Sequence, residues 1–235
     1  MLSMGQAVFA NRNAFAEELI DCSGISKLPV TEAERMLEAV QKSYRATQTL
    51  KAQFLQDSFS AALELREKSS GTVTFQNPGK MRWDYSVPEQ QTFLFVEGTI
   101  WFYQPELRQV LIDRAQTMLL TDVPLAFLLG VGDIKRDFSI VHGCRREEGI
   151  VLHLTPRTNG DGVKDEAPRT TLKEFWLMID STRSLPIGAR IVDSGGNVTS
   201  VLLRDLATND TLMGELFRPE FPKGTDIQDR RELGG

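Results

Sequence analysis

Residues 92–105 read Thr-Phe-Leu-Phe-Val-Glu-Gly-Thr-Ile-Trp-Phe-Tyr-Gln-Pro, and they pose a problem of coverage. Aromatic and β-branched residues at this density, broken once by Glu97-Gly98, specify a hairpin with a tight turn. Successive side chains of a strand point to opposite faces, so a half-buried hairpin alternates apolar with polar. Here both phases are apolar. Counted along the sequence, Phe93, Phe95, Trp101 and Tyr103 fall on one phase, and Leu94, Val96, Ile100 and Phe102 on the other. An antiparallel hairpin commonly leaves one face to water. This one needs cover on both, and what covers the second face is the functional question.

On either side of the hairpin the hydrophobic period stays at two. The segments 49–60, 62–78, 81–88 and 108–115 read as strands, as do 136–143, 149–156, 171–180, 187–194 and 198–206. Asn77-Pro78-Gly79, Val87-Pro88 and Ser194-Gly195-Gly196-Asn197 supply turns. Many short strands with little helix between them indicate an antiparallel barrel or a strongly curved sheet. Two helices interrupt the pattern. Thr31-Glu32-Ala33-Glu34 reads as a capping box, and Met36, Leu37, Val40 and Tyr44 follow at helical spacing. The segment 119–130 opens on Thr121 and Pro124, closes on Gly130, and is apolar all round. Leaving several leucine-sized side chains exposed would forfeit about 1.5–3 kcal/mol each, so this helix must be covered. Pairing both helices over the open sheet gives the fold class: mainly β, an incomplete curved antiparallel β-barrel covered by short helices over a hydrophobic cavity. The second face of the hairpin is then expected to look into that cavity. The organisation is a leader (1–30), one domain (31–226) and a polar tail (227–235).

Composition narrows the chemistry. The 235 residues carry a net charge of -5, 41% hydrophobic and 25% charged residues, an ordinary globular balance without the basic face of a nucleic-acid binder. No apolar run reaches the roughly 18 residues of a membrane span. Met1–Ala10 ends in Val8-Phe9-Ala10, which leaves two readings open: a flexible start, or the end of a shortened export signal. Cys22 follows Asp21, which does not fit a lipid-attachment box. Cys22 and Cys144 are the only cysteines, and the sequence leaves both a disulfide and two free thiols open. Two histidines, His142 and His153, do not make a metal site. His153 alternates with Leu152 and Leu154 and reads as a structural histidine. Gly130-Val131-Gly132 lies after a helix, not before one, and no G-x-S-x-G elbow occurs. The expectation is a protein with no catalytic residue, no metal and no cofactor.

An ordered series of motifs resembles one family. Phe54-Leu55-Gln56, Asn77-Pro78-Gly79-Lys80-Met81-Arg82-Trp83-Asp84-Tyr85, Pro88-Glu89-Gln90-Gln91 and Glu97-Gly98-Thr99-Ile100-Trp101-Phe102-Tyr103-Gln104-Pro105 occur in sequence. Gln109-Val110 and Thr121-Asp122-Val123-Pro124-Leu125 follow, and Leu216-Phe217-Arg218-Pro219 with Phe221-Pro222-Lys223-Gly224 resembles a closing strand. Together they are similar to the LolA-type periplasmic carriers of outer-membrane lipoproteins. That resemblance implies a periplasmic monomer that binds lipoprotein acyl chains. It would take them from an inner-membrane lipoprotein-releasing transporter and deliver them to an outer-membrane lipoprotein acceptor, with no nucleic acid involved. It further implies a cavity lined by Met81, Trp83, Tyr85 and Leu94, and a lid of Met36, Val40, Leu125, Phe127, Leu128 and Leu129. The family places a latch arginine before the proline of this motif. This chain has Asn77 there, an uncharged and shorter donor, with Lys80 and Arg82 as candidate substitutes. Two other classes remain as alternatives: a sensor or adaptor domain of the same fold that binds without shuttling, and a lipid hydrolase, for which no nucleophile can be placed.

Overall fold

The Glu97-Gly98 corner decides how the hairpin's faces are composed. Both residues have positive φ, 49° and 83°, as a type I′ turn requires. This turn pairs Phe95 with Ile100, Leu94 with Trp101, and Phe93 with Phe102. A two-residue turn exchanges odd and even positions between its strands. Phe93, Phe95, Ile100 and Phe102 therefore share one face, and Leu94, Val96, Trp101 and Tyr103 the other. Counting along the sequence had placed Trp101 and Tyr103 with Phe93; the register corrects that.

The computed structural model describes residues 20–114, 134–157 and 172–231. The expected lid residues Leu125, Phe127, Leu128 and Leu129 lie outside the described residues, as do the export-signal segment at Met1–Ala10 and residues 232–235 of the tail. A helix, α1 (Val30–Ala46), leads into β1 (Thr49–Ser60), β2 (Leu65–Gln76), β3 (Lys80–Val87), β4 (Gln91–Val96), β5 (Thr99–Gln104) and β6 (Gln109–Arg114). One turn of helix, α2 (Ile134–Asp137), precedes β7 (Phe138–Arg145), β8 (Ile150–Pro156), β9 (Leu172–Ile179), β10 (Pro186–Asp193) and β11 (Val198–Thr208). A 3-10 turn (Gly214–Phe217) and β12 (Asp226–Asp229) follow. Among the described residues twelve strands form one open sheet, ordered β12-β6-β5-β4-β3-β2-β1-β11-β10-β9-β8-β7. Neighbours are antiparallel except β12, which runs parallel to β6. The mainly β, incomplete antiparallel architecture read from the sequence is the one the chain adopts.

One face of this sheet, the inner face, carries α1. Ala33, Leu37, Val40 and Tyr44 are buried along a single stripe of the helix. The body of the helix packs with Leu152, Leu154, Phe175 and Leu177, while Tyr44 at its end joins Leu50, Phe75 and Phe54. The helix begins two residues earlier than the capping pattern implied. Pro29 is its N-cap, and its carbonyl accepts from Glu32 N (2.9 Å) and Ala33 N (3.1 Å) without any side-chain cap. Thr31 is already inside the first turn, so the Thr31–Glu34 box does not form.

The outer face is covered by the two ends of the chain. The segment from Ile20 to Leu28 crosses β7, with Leu28 N donating to Gly143 O at 2.8 Å. Cys22 and Cys144 are joined by a disulfide, which settles a pairing the sequence left open. Ile20 and Cys144 are buried with Val151, Met178 and Leu202. Gly143, opposite Leu152, is turned to the inner side, where a Cβ would lie 2.8 Å from Leu152 Cδ2 and 3.3 Å from Leu28 Cδ1. The other end straps β3 and β4 with the 3-10 turn. Residues 216–224, expected as a closing strand, form that turn and irregular chain instead; the strand comes later, at 226–229, where the polar tail was expected to begin. A strand as polar as Asp-Ile-Gln-Asp gives no periodic signal.

The disulfide spans 122 residues, and cross-links of that reach typically contribute about 2–5 kcal/mol, largely by restricting the unfolded chain. The double variant Cys22→Ser/Cys144→Ser should lose stability in that range in urea unfolding. An unchanged midpoint would mean that the N-terminal segment lies outside the cooperative unit.

Candidate functional site

The inner face of the β1–β6 half is an aromatic surface assembled by register. Pairings run Ala52–Val73–Trp83–Phe93–Phe102–Leu111 across six strands, and Leu50–Phe75–Met81–Phe95–Ile100 beside them. Phe54 pairs with Gly71, which pairs with Tyr85. A Cβ on Gly71 would lie 1.9 Å from Asp84 O and 2.9 Å from the Phe54 ring, so glycine alone fits. The Phe54 ring lies over the gap, with its centroid 4.7 Å from Trp83 and 4.8 Å from Tyr85. Phe93 stacks on Phe102 at 4.3 Å. Phe54, Met81 and Trp83 are buried, whereas Tyr85, Phe93, Phe102 and Leu111 are half-buried. The inner face is thus dry at its middle and partly open along its β3–β6 side.

Of the four cavity residues expected from sequence, the register brings Met81, Trp83 and Tyr85 together. Leu94 is on the other face, opposite Arg82 and Trp101. That side is the second face of the hairpin. Among the described residues the strap lies over it: Arg82 Nη1 donates to Leu216 O (3.2 Å), and Tyr103 packs on Phe221 at 5.2 Å. Arg82 also pairs with Asp84 (2.7 Å), which accepts from Thr92 Oγ1. Among the expected lid residues described, Val40 is fully buried and Met36 half-buried against the β7–β10 half.

The latch position has a specific role. Asn77 Nδ2 donates to Arg45 O at 3.2 Å and Thr47 O at 3.5 Å, carbonyls at the C-terminal end of α1, where the helix's own hydrogen-bond ladder runs out. Lys80 and Arg82, the candidate substitutes, project to the outer face with Asp84, away from α1. Asn77 makes the polar tie itself. Beside it, burial pushes the Tyr44 phenol well above its ordinary pKa, so that group stays uncharged at any physiological pH. Trp83 Nε1 is buried without a hydrogen-bond partner among the described residues. Among those residues no group of three or more potential metal ligands occurs.

These features define a class: an open antiparallel sheet whose inner face presents aromatic surface on one half and carries on the other a helix held at one end by a neutral hydrogen bond. The family model for the outer membrane lipoprotein carrier protein LolA matches residues 45–220. The chain belongs to the LolA family. An outer-membrane lipoprotein carrier protein of Methylococcus capsulatus is 27% identical over 206 residues, which are 88% of this chain and 92% of that protein. One from Halorhodospira halophila is 30% identical over 192 residues, 81% and 84% of the two chains. The fold is shared with an uncharacterized conserved protein of Thermus thermophilus, at TM-score 0.54 and 17% identity, over 85% of this chain and 99% of that one.

A neutral hydrogen bond contributes about 0.5–1.5 kcal/mol net, whereas truncating a buried leucine costs about 2–5 kcal/mol. Asn77→Ala should therefore speed hydrogen exchange only at the last turn of α1, and Leu37→Ala along the whole helix. Equal, helix-wide acceleration by both would show that the Asn77 tie controls docking of α1.

Proposed function

We propose that the chain is a periplasmic carrier that binds lipoprotein acyl chains on its inner face, receiving them from an inner-membrane releasing transporter and passing them to an outer-membrane acceptor. The observation that carries this reading is the in-register aromatic surface of Trp83, Tyr85, Phe93 and Phe102, apolar yet partly open. Family membership and the names of the related carrier proteins support it. The disulfide fits an oxidising compartment outside the cytosol. No catalytic group is needed: transfer of an acyl chain between binding sites breaks no covalent bond.

The physics of such a job lies in limiting affinity. Each buried methylene is worth about 0.8 kcal/mol, so one sixteen-carbon chain fully buried approaches about 12 kcal/mol, already nanomolar. A carrier that wrapped three chains fully would never release them. Partial exposure of Tyr85, Phe93 and Phe102 lowers the gain. The apolar stripe of α1, with Val40 and Tyr44, competes with a ligand for the same kind of contact. Met36, Val40 and the segment around Leu125–Leu129 act in this reading as the lid. Trp83 Nε1 offers a donor to an ester or amide carbonyl at the head of the acylated cysteine.

The decisive comparison uses two half-buried aromatics on opposite faces. A fluorescent fatty-acid analogue should bind saturably; Tyr85→Glu should weaken it about tenfold or more, the loss of roughly two methylenes' worth of contact, and Trp101→Glu should leave it unchanged. Equal effects of both would remove the inner face as the site. Native mass spectrometry of the protein recovered from a bacterial periplasm should show bound acylated peptide, and recovery of the native protein solely in cytosol would exclude the carrier role.

A further inference from the structure

A second constellation lies on the outer face of the other half of the sheet, under the disulfide-tethered N-terminal segment. Four strands contribute one row by register: His142 of β7 opposite His153 of β8, Trp176 of β9, then Arg190 of β10. The rings of His142 and His153 meet edge to face at 5.1 Å. His153 stacks flat on Trp176 at 4.3 Å, and the Arg190 guanidinium lies 5.5 Å from the Trp176 ring. Over this row the residues from Ile20 to Lys27 close a pocket of about 650 Å³, a size that suits a small-molecule site.

The polar atoms of the row are unspent. Among the described residues His142 Nδ1, His153 Nε2 and Arg190 Nε are buried and without hydrogen-bond partners, although most buried polar atoms have one. Glu174 Oε2 stands 3.6 Å from His153 Nε2, too far for a hydrogen bond. The acid on the segment above is otherwise engaged: Asp21 accepts from Ser23 N (2.8 Å), and its backbone carbonyl accepts from Arg146. Lys27 completes the lining, near enough to His142 to disfavour its protonation. Stacking occupies both faces of Trp176, so a ligand meets ring edges and N–H groups, not an aromatic platform.

The geometry points to a second binding site in this pocket, distinct from the inner face, for a small oxyanion: a carboxylate or phosphate group held by Arg190, Lys27 and the two imidazoles. A charge-assisted bond to such a group would satisfy in one step the three buried nitrogens that the protein leaves unpaired. The direction of the histidine shifts agrees. Burial first, then the Lys27 charge, hold His142 below its ordinary pKa; burial and His142 do the same to His153, with Glu174 opposing. An anion among them reverses that bias, so both imidazoles should gain protons when it binds. By linkage, affinity should rise as pH falls through the imidazole pKa values.

The test is unusually clean, because these are the protein's only two histidines. Imidazole NMR signals of the intact, oxidised chain report on this pocket alone. Inorganic phosphate and succinate are titrated separately at ionic strength held constant with sodium chloride. The expected result is a saturating shift at or below roughly 10 mM for at least one of them, with upward imidazole pKa values. Saturation by phosphate alone identifies a phosphate ligand, and by succinate alone a carboxylate. Lys27→Gln, at an exposed position whose loss leaves the core intact, and Arg190→Gln should each weaken binding about tenfold. A linear drift matched by chloride, or full affinity in both variants, would overturn the proposal.

Discussion

The register that runs from β11 to β6, with irregularities at Lys51/Gln53 and Ser70/Gly71, is the constraint on which this molecule depends. It holds Phe54 opposite Gly71 and Gly71 opposite Tyr85, and it aligns Trp83 with Phe93 and Phe102. A slip of one residue anywhere in the series would send the aromatic row to the outer face and bring Lys51, Arg82 and Asp84 inward. Gly71 and the type I′ corner at Glu97-Gly98 are the points that forbid such a slip. The first admits no side chain against Asp84 O, and the second fixes a two-residue connection. Stability and the candidate site are the same set of pairings.

A sheet that is apolar on both faces needs two covers, and the chain supplies them unequally. Helix α1 lies on the inner face and leaves the β3–β6 side partly open. The outer face is closed by the chain's own ends: one fixed by a disulfide and a short bridge to β7, the other by Arg82 on Leu216 O and by β12 on β6. The covers of the outer face are held by a covalent bond at one end and by a charge-assisted hydrogen bond at the other. The cover of the inner face is apolar packing with a neutral tie at Asn77.

Most of the strand pattern was legible because alternation over six to twelve residues is a strong local signal; β1 is matched residue for residue. What failed was not local. Reading phases through Glu97-Gly98 put Trp101 beside Phe93, because parity changes hands across a two-residue turn. Leu94 was expected in the cavity from the family resemblance, and its pairing with Arg82 and Trp101 puts it on the other face from Trp83. Thr31 lost the cap to Pro29, whose carbonyl was already placed to accept the first helical bonds. Asp-Ile-Gln-Asp carries too little hydrophobicity to announce β12. The His142–His153–Trp176–Arg190 row was invisible for a further reason. Each residue sits on the outward phase of its own strand, which alone signals solvent, and only the pairing of four strands brings them under one segment.

The two faces also differ in how they treat a charged group. On the outer face charge is present at the partly exposed Arg82–Asp84 pair and at Arg190, whose guanidinium lies against the Trp176 ring. On the inner face the polar groups near the aromatic surface are neutral: the Asn77 amide, the Tyr44 phenol held protonated by burial, and Tyr85 Oη, which donates to Gln56 Oε1 at 3.0 Å. An ion there would have to be desolvated whenever apolar surface moved in, at a cost of several kcal/mol. A neutral latch avoids that penalty and is worth only about 1 kcal/mol. Asn77 is such a neutral latch. It leaves the end of α1 held by an interaction that contributes less than the apolar packing of Leu37 and Val40 along the helix, and one that no titrating group controls.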